Sequence, residues 1–162
     1  MSGEETFREQ ILNSLRSATE RRFEEALRDY PAEFMNAKPP NVDYTPWHLL
    51  EHLRISQLDI LEYIRNPSYV SPPWPDGYWP AKTATADAAA WNKSLEGFRA
   101  DRQALAELVA DPKTDLLAPL AHTPGHTVLR EALLNAGHSA FHIGEFGILR
   151  EVMQTWPEGH NQ

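Results

Sequence analysis

Along residues 84–110, expected to form one helix, side chains recur at alternating steps of three and four: Ala88, Trp91, Leu95, Phe98, Arg102, Leu105 and Val109, all apolar except Arg102. That spacing lays one stripe along an α-helix, whereas a strand alternates its faces every second residue. A stripe of this kind has to be buried against other helices. Three further segments offer themselves as partners. Residues 4–29 carry Phe7, Ile11, Leu15, Phe23, Ala26 and Leu27 on one face, and Tyr30 just beyond continues the stripe. Residues 45–65 carry Trp47, Leu50, Leu53, Ile60, Leu61 and Ile64, with Thr45 placed to cap the helix and Pro46 at its first position. Residues 126–154 form the last helical stretch, and no segment reads as a strand. The expectation is an all-α four-helix bundle with long crossover loops, one domain over residues 1–162.

The two long connections differ in character. Residues 66–83, NPSYVSPPWPDGYWPAKT, hold five prolines but also Tyr69, Trp74, Tyr78 and Trp79, so the segment is expected to be ordered. Residues 111–125 are plainer. Arg102 interrupts the third seam, and it either lays its stem on apolar surface with its head in water or directs its guanidinium into a pocket.

Charge excludes several functions. Fifteen basic against twenty-three acidic residues give a formal charge of −8 with no basic cluster, which disfavours nucleic acid and anionic membranes as partners. No apolar run approaches the length of a membrane span, and MSGEETFREQ lacks the layout of a signal peptide, so a cytoplasmic protein is expected. With no cysteine, thiolate metal sites and a protein thiol nucleophile are out of reach.

Metal chemistry would fall to histidine. Of seven, His160 lies in the polar tail and is expected to be unstructured, His122 falls in a loop, and His126 follows Pro124-Gly125 at a helix start. The other four form two i,i+4 pairs, His48/His52 and His138/His142, on separate helices. Such pairs face one way and can share a cation, zinc or nickel being suited to imidazole nitrogen. Ala136, Ala140, Phe141, Ile143, Phe146, Ile148 and Leu149 make the second pair's surroundings apolar nearly all round, which argues for burial. Gly144 and Gly147 weaken the helix there and suggest close approach by another element. His48-Leu-Leu-Glu51-His52 matches the HxxEH pattern of inverted zinc proteases, but the match is short and the chain is small for a protease cleft.

TPWHLLEHLRISQLDILEYI, the Tyr78-Trp79-Pro80 triplet and GHTVLREALLNAGHSAFHIGEFGILREVMQTWP together resemble the DinB/YfiT-like superfamily of metal-binding four-helix bundles, in order and spacing along nearly the whole chain. The resemblance implies that His52, His138 and His142 bind a divalent metal, with His48 either beside the site or a fourth ligand. It also implies a metal-dependent hydrolase or a thiol S-transferase acting on a small electrophile, with a low-molecular-weight thiol as cosubstrate, and a homodimer for which the third-helix seam is available. Many members have no established activity, and a non-catalytic stress-response or binding protein is the alternative. Where relatives commonly carry tyrosine and glutamine, this chain has Phe141 and Glu145. Glu145 shares a face with both histidines and could orient an imidazole, act as a catalytic base or form a salt bridge. Trp74, Tyr78, Trp79 and Arg102 are the candidate pocket lining.

Overall fold

A computed structural model describes residues 3–160, apart from the side chains of residues 17–19. Its four long helices are α1 (Gly3–Leu27), α2 (Pro46–Arg65), α3 (Ala88–Ala110) and α4 (Val128–Val152). Short 3-10 turns at Ala32–Phe34 and Asp76–Tyr78 punctuate the first two connections. The expected bundle is present. It has one addition: β1 (Pro119–Leu120) and β2 (Thr123–Thr127) pair antiparallel, so a short hairpin occupies a stretch read as irregular. Five residues with Thr at both ends of TPGHT carry too little alternation to announce a strand.

Helix ends follow their caps. Asp87 accepts from the Ala90 N–H and starts α3 at Ala88, where the stripe begins, and not at the expected residue 84. Thr127 accepts from the Arg130 N–H, so α4 begins at Val128 and His126 stays outside it. Two arginines finish helices from a distance. Arg8 donates to the carbonyls of Val109, Asp111 and Thr114, and the fully buried Arg150 donates to those of Ala26, Arg28 and Thr155. The last carbonyls of α3 and α1, which no helical N–H can reach, thereby find cationic partners.

α1 makes its main contacts with α4 and α3, while α2 contacts α3 and α4. Sequential helices α1 and α2 are therefore diagonal, and the connection 28–45 has to cross the bundle end. α2 and α3 are neighbours, so residues 66–87 are far longer than joining them requires. That surplus returns along α2 and carries Tyr78 and Trp79 to its histidine face.

The core is split. Phe23, Leu49, Leu50, Leu53, Trp91, Phe98, Ile143 and Phe146 fill one end, while Ile11, Leu15, Leu61, Leu105, Val109 and Ala132 fill the other. Between them α2 and α4 face each other through a buried polar layer of Ser56, Gln57, Asn135 and Ser139, in which Asn135 Nδ2 donates to Gln57 Oε1 at 2.8 Å. Most of the α3 seam packs inside this core, with Trp91, Phe98, Leu105 and Val109 all buried. Exposed apolar side chains lie instead on α4, at Leu133, Leu134, Phe141, Ile148 and Val152. No described helix is long and apolar enough to cross a membrane.

Candidate metal centre

The two histidine pairs do not play equal parts. His48 closes the α2 capping box: the Thr45 hydroxyl accepts from the His48 N–H, and the His48 Nδ1 accepts from the Thr45 N–H. Its Nε2–H then donates to the Ala84 carbonyl at 2.8 Å, so one tautomer serves both bonds and neither nitrogen remains for a metal. The fourth-ligand reading of His48 is thus corrected to a helix cap that also pins the start of the α3 connection. Glu51 is turned away as well, onto Arg54 and the Ser94 hydroxyl, which removes the HxxEH arrangement.

One turn further along α2, buried His52 faces α4. Its Nε2 lies 3.2 Å from His138 Nε2 and 3.2 Å from His142 Nε2. The ligand atoms of all three residues fall within 4.8 Å of one another. Two nitrogens held at about 2.0–2.1 Å from one tetrahedral ion would be about 3.3 Å apart, so the spacing fits a shared cation.

Hydrogen bonds decide which nitrogen carries the proton. His52 Nδ1–H donates to the Tyr78 carbonyl at 2.8 Å, and His142 Nδ1–H donates to Glu145 Oε2 at 2.6 Å. Both rings consequently aim bare Nε2 lone pairs at the same point. Burial pushes His52 down to about 4, the Tyr78 carbonyl working against this and His142 with it. Burial first, then the neighbouring His142 and His52, also takes His138 down to about 4. Near neutral pH His52 and His138 are uncharged, and their lone pairs converge with the Nε2 of His142, an arrangement suited to a divalent ion.

Trp79 holds the His52 ring from behind, stacked at 3.9 Å with an interplanar angle of 3°, and Tyr44 packs on Trp79. Glu145 grips the outer nitrogen of His142, on the opposite edge of the ring from the converging Nε2 atoms. Of its three candidate roles the geometry matches orienting the imidazole. The Tyr44 hydroxyl faces the same carboxylate, and its ionisation is pushed up by burial, then by the Glu145 charge and hydrogen bond. Phe141 leans on the His142 ring while staying 64% exposed.

Beside His138 lies a cavity of about 280 Å³. Trp74 and Tyr78 line it, with Ile60 and Leu134 as apolar walls and Ser56 and Asp59 as polar ones. Trp79 belongs to the His52 backing rather than to this cavity. Arg102 lies elsewhere, over the Phe23 and Phe98 rings at 5.8 and 6.0 Å and 3.6 Å from Glu20, so it supports the α1–α3 contact. Ser56 and Asp59 escaped the sequence reading, although they stand four and seven residues beyond His52 on the same helix face. A larger cavity of about 640 Å³ opens between Phe7 and the 112–117 loop and includes none of the three histidines.

The remaining histidines serve other contacts. His126 pairs with Glu131 at 3.0 Å, His122 packs edge-on against Tyr63, and His160 stacks on Trp156 instead of hanging free in the tail. The glycine inference is also corrected. A Cβ at Gly144 or Gly147 would meet nothing within 4 Å, so neither glycine is required by a close contact among the described residues. Apolar residues surround this part of α4 because the helix exposes Phe141 and Ile148, not because it is buried throughout.

Compared with known proteins, residues 16–146 match the family model described as the DinB superfamily. No curated protein and no solved structure matches the chain.

Proposed function

Since this chain belongs to the DinB superfamily and three imidazoles from two of its helices converge, we propose that it is a divalent-metal enzyme that activates water or a small cosubstrate thiol against a small electrophile. Zinc or nickel is the metal best matched to three neutral nitrogen donors. The observation that carries the reading is the pairing of an incomplete donor set with a cavity beside it. His48 is committed to the helix cap, so three ligands and no fourth come from the described residues, and His138 borders the 280 Å³ space. A structural metal would call for a closed shell.

When bound, the ion would lower the pKa of a water or thiol toward neutrality and so supply a nucleophile. The chain's own groups do the rest. Tyr78 and Trp79 hold the His52 ring, and Glu145 holds that of His142, keeping the Nε2 lone pairs aimed inward. Ile60, Trp74 and Leu134 offer apolar contact to a substrate seated next to His138.

The test is metal analysis of tag-free protein, followed by a turnover screen of hydrolysable and thiol-acceptor electrophiles with several metals and low-molecular-weight thiols. Metal at one ion per chain in the wild type and loss of turnover in His138→Ala are expected. Turnover indifferent to His138→Ala would remove the metal from the reaction, and a loaded protein inactive throughout the screen would favour the non-catalytic alternative.

A further inference from the structure

The polar wall of the cavity has unmet hydrogen-bonding capacity that the metal site does not use. Asp59 and Ser56 are at least nine-tenths buried, and Asp59 Oδ1 and Ser56 Oγ lack any hydrogen-bond partner among the described residues. The other oxygen of Asp59 accepts from the Tyr78 hydroxyl at 2.8 Å. Tyr69 also faces this carboxylate, and both phenols are pushed up to about 12, by burial first and then by Asp59, so they stay neutral donors. Among the cavity's lining residues Asp59 is the one acidic side chain.

A buried carboxylate with a free oxygen needs a donor, and a cationic donor serves it best. Trp74 and Tyr78, with ring centroids 5.5 Å apart, add aromatic surface suited to a positive group. The protein's formal charge of −8 also favours approach by a cation. Building on the metal-site reading above, we propose that the substrate is a small organic ammonium compound. Its N–H groups bond Asp59 and Ser56 once these side chains turn toward the cavity, their unpartnered oxygens being almost fully covered in the unliganded structure, and its apolar body runs along Ile60 and Leu134 toward His138. A space of about 280 Å³ suits a small molecule and not a peptide.

Hexylamine and 1-hexanol, titrated calorimetrically into the full chain, test this. Each is run on zinc-loaded and on chelator-stripped protein, with zinc content measured in parallel. The amine should bind about ten-fold or more tightly than the alcohol in both states. Asp59→Asn should abolish that preference without changing zinc content. Ser56→Ala, a milder change should the first variant fold poorly, should reduce the preference several-fold. Equal affinity for the two probes, or a preference that survives Asp59→Asn and Ser56→Ala, would overturn the proposal. So would a preference that vanishes on stripping, since the amine would then be ligating the ion. A chain that takes up no zinc but still prefers the amine would overturn the metal reading alone.

Discussion

Replacing Glu145 with glutamine isolates what the carboxylate contributes to the three-imidazole cluster. In the native arrangement the 2.6 Å bond from His142 Nδ1–H to Glu145 Oε2 is charge-assisted; it fixes the tautomer and enriches the electron density at Nε2. Outer partners of ligating histidines typically contribute 10–100-fold in metal affinity, or about 1.4–2.8 kcal/mol. Glutamine keeps an acceptor oxygen at nearly the same place, so the loss should sit near the lower bound, about ten-fold. Glu145→Ala also releases the ring and should approach about 100-fold. Competition for zinc against a chromophoric chelator reads both affinities directly. A second readout follows from Tyr44: removing the neighbouring negative charge should bring its phenol part of the way back toward the ordinary range, while burial keeps it elevated. If both variants bind zinc within about two-fold of wild type, the carboxylate does not act through the imidazole, and the orienting role assigned to Glu145 is wrong.

Three further outcomes separate architecture from chemistry. His48→Ala should cost about 1–2 kcal/mol in urea unfolding, through loss of the capping box and the Ala84 bond, while metal stoichiometry stays unchanged. Gly144→Ala should raise stability by up to about 1 kcal/mol, because its Cβ meets open space on an exposed helix face; a destabilisation would show a close approach that the fold does not contain. For metal-free protein, His52 and His138 have folded pKa values of about 4, below the ordinary histidine range. The unfolded chain therefore binds more protons between about pH 6.5 and 4, so stability is fully present above that window and falls as pH drops through it. Denaturation midpoints that stay flat from pH 7 to about 4 would show that these rings are not buried in neutral form.

Some of this molecule can be read directly along the chain. Helical periodicity is a local property, and the first three long helices follow from their stripes, the second also from its Thr45 cap, whereas the Asp87 and Thr127 caps are seen only in the structure. The i,i+4 histidine pairs are equally local, and so is the aromatic content that marks residues 66–83 as ordered. Burial is not local. Phe141 and Ile148 look like core in a one-dimensional window and turn out to be surface, because exposure depends on which face neighbouring helices leave uncovered. The same holds for Arg102, whose place between Phe23 and Phe98 follows from the α1–α3 contact, and for Arg150, which sits at the end of a helix 122 residues away in sequence.

The amino-acid order alone determined four helical stretches, the Thr45 cap and two histidine pairs, since each depends on interactions within a few residues of one another. Which imidazoles meet was decided in three dimensions. His48 and His52 are equivalent by spacing, and only the diagonal placement of α1 and α2, the facing of α2 onto α4 and the return of the long loop separate them. Those packings leave one ring capping a helix against the Ala84 carbonyl and bring the other within 3.2 Å of two nitrogens some 90 residues away. Asp59 becomes a candidate substrate contact for the same reason: it borders a cavity whose walls come from three separate segments of the chain.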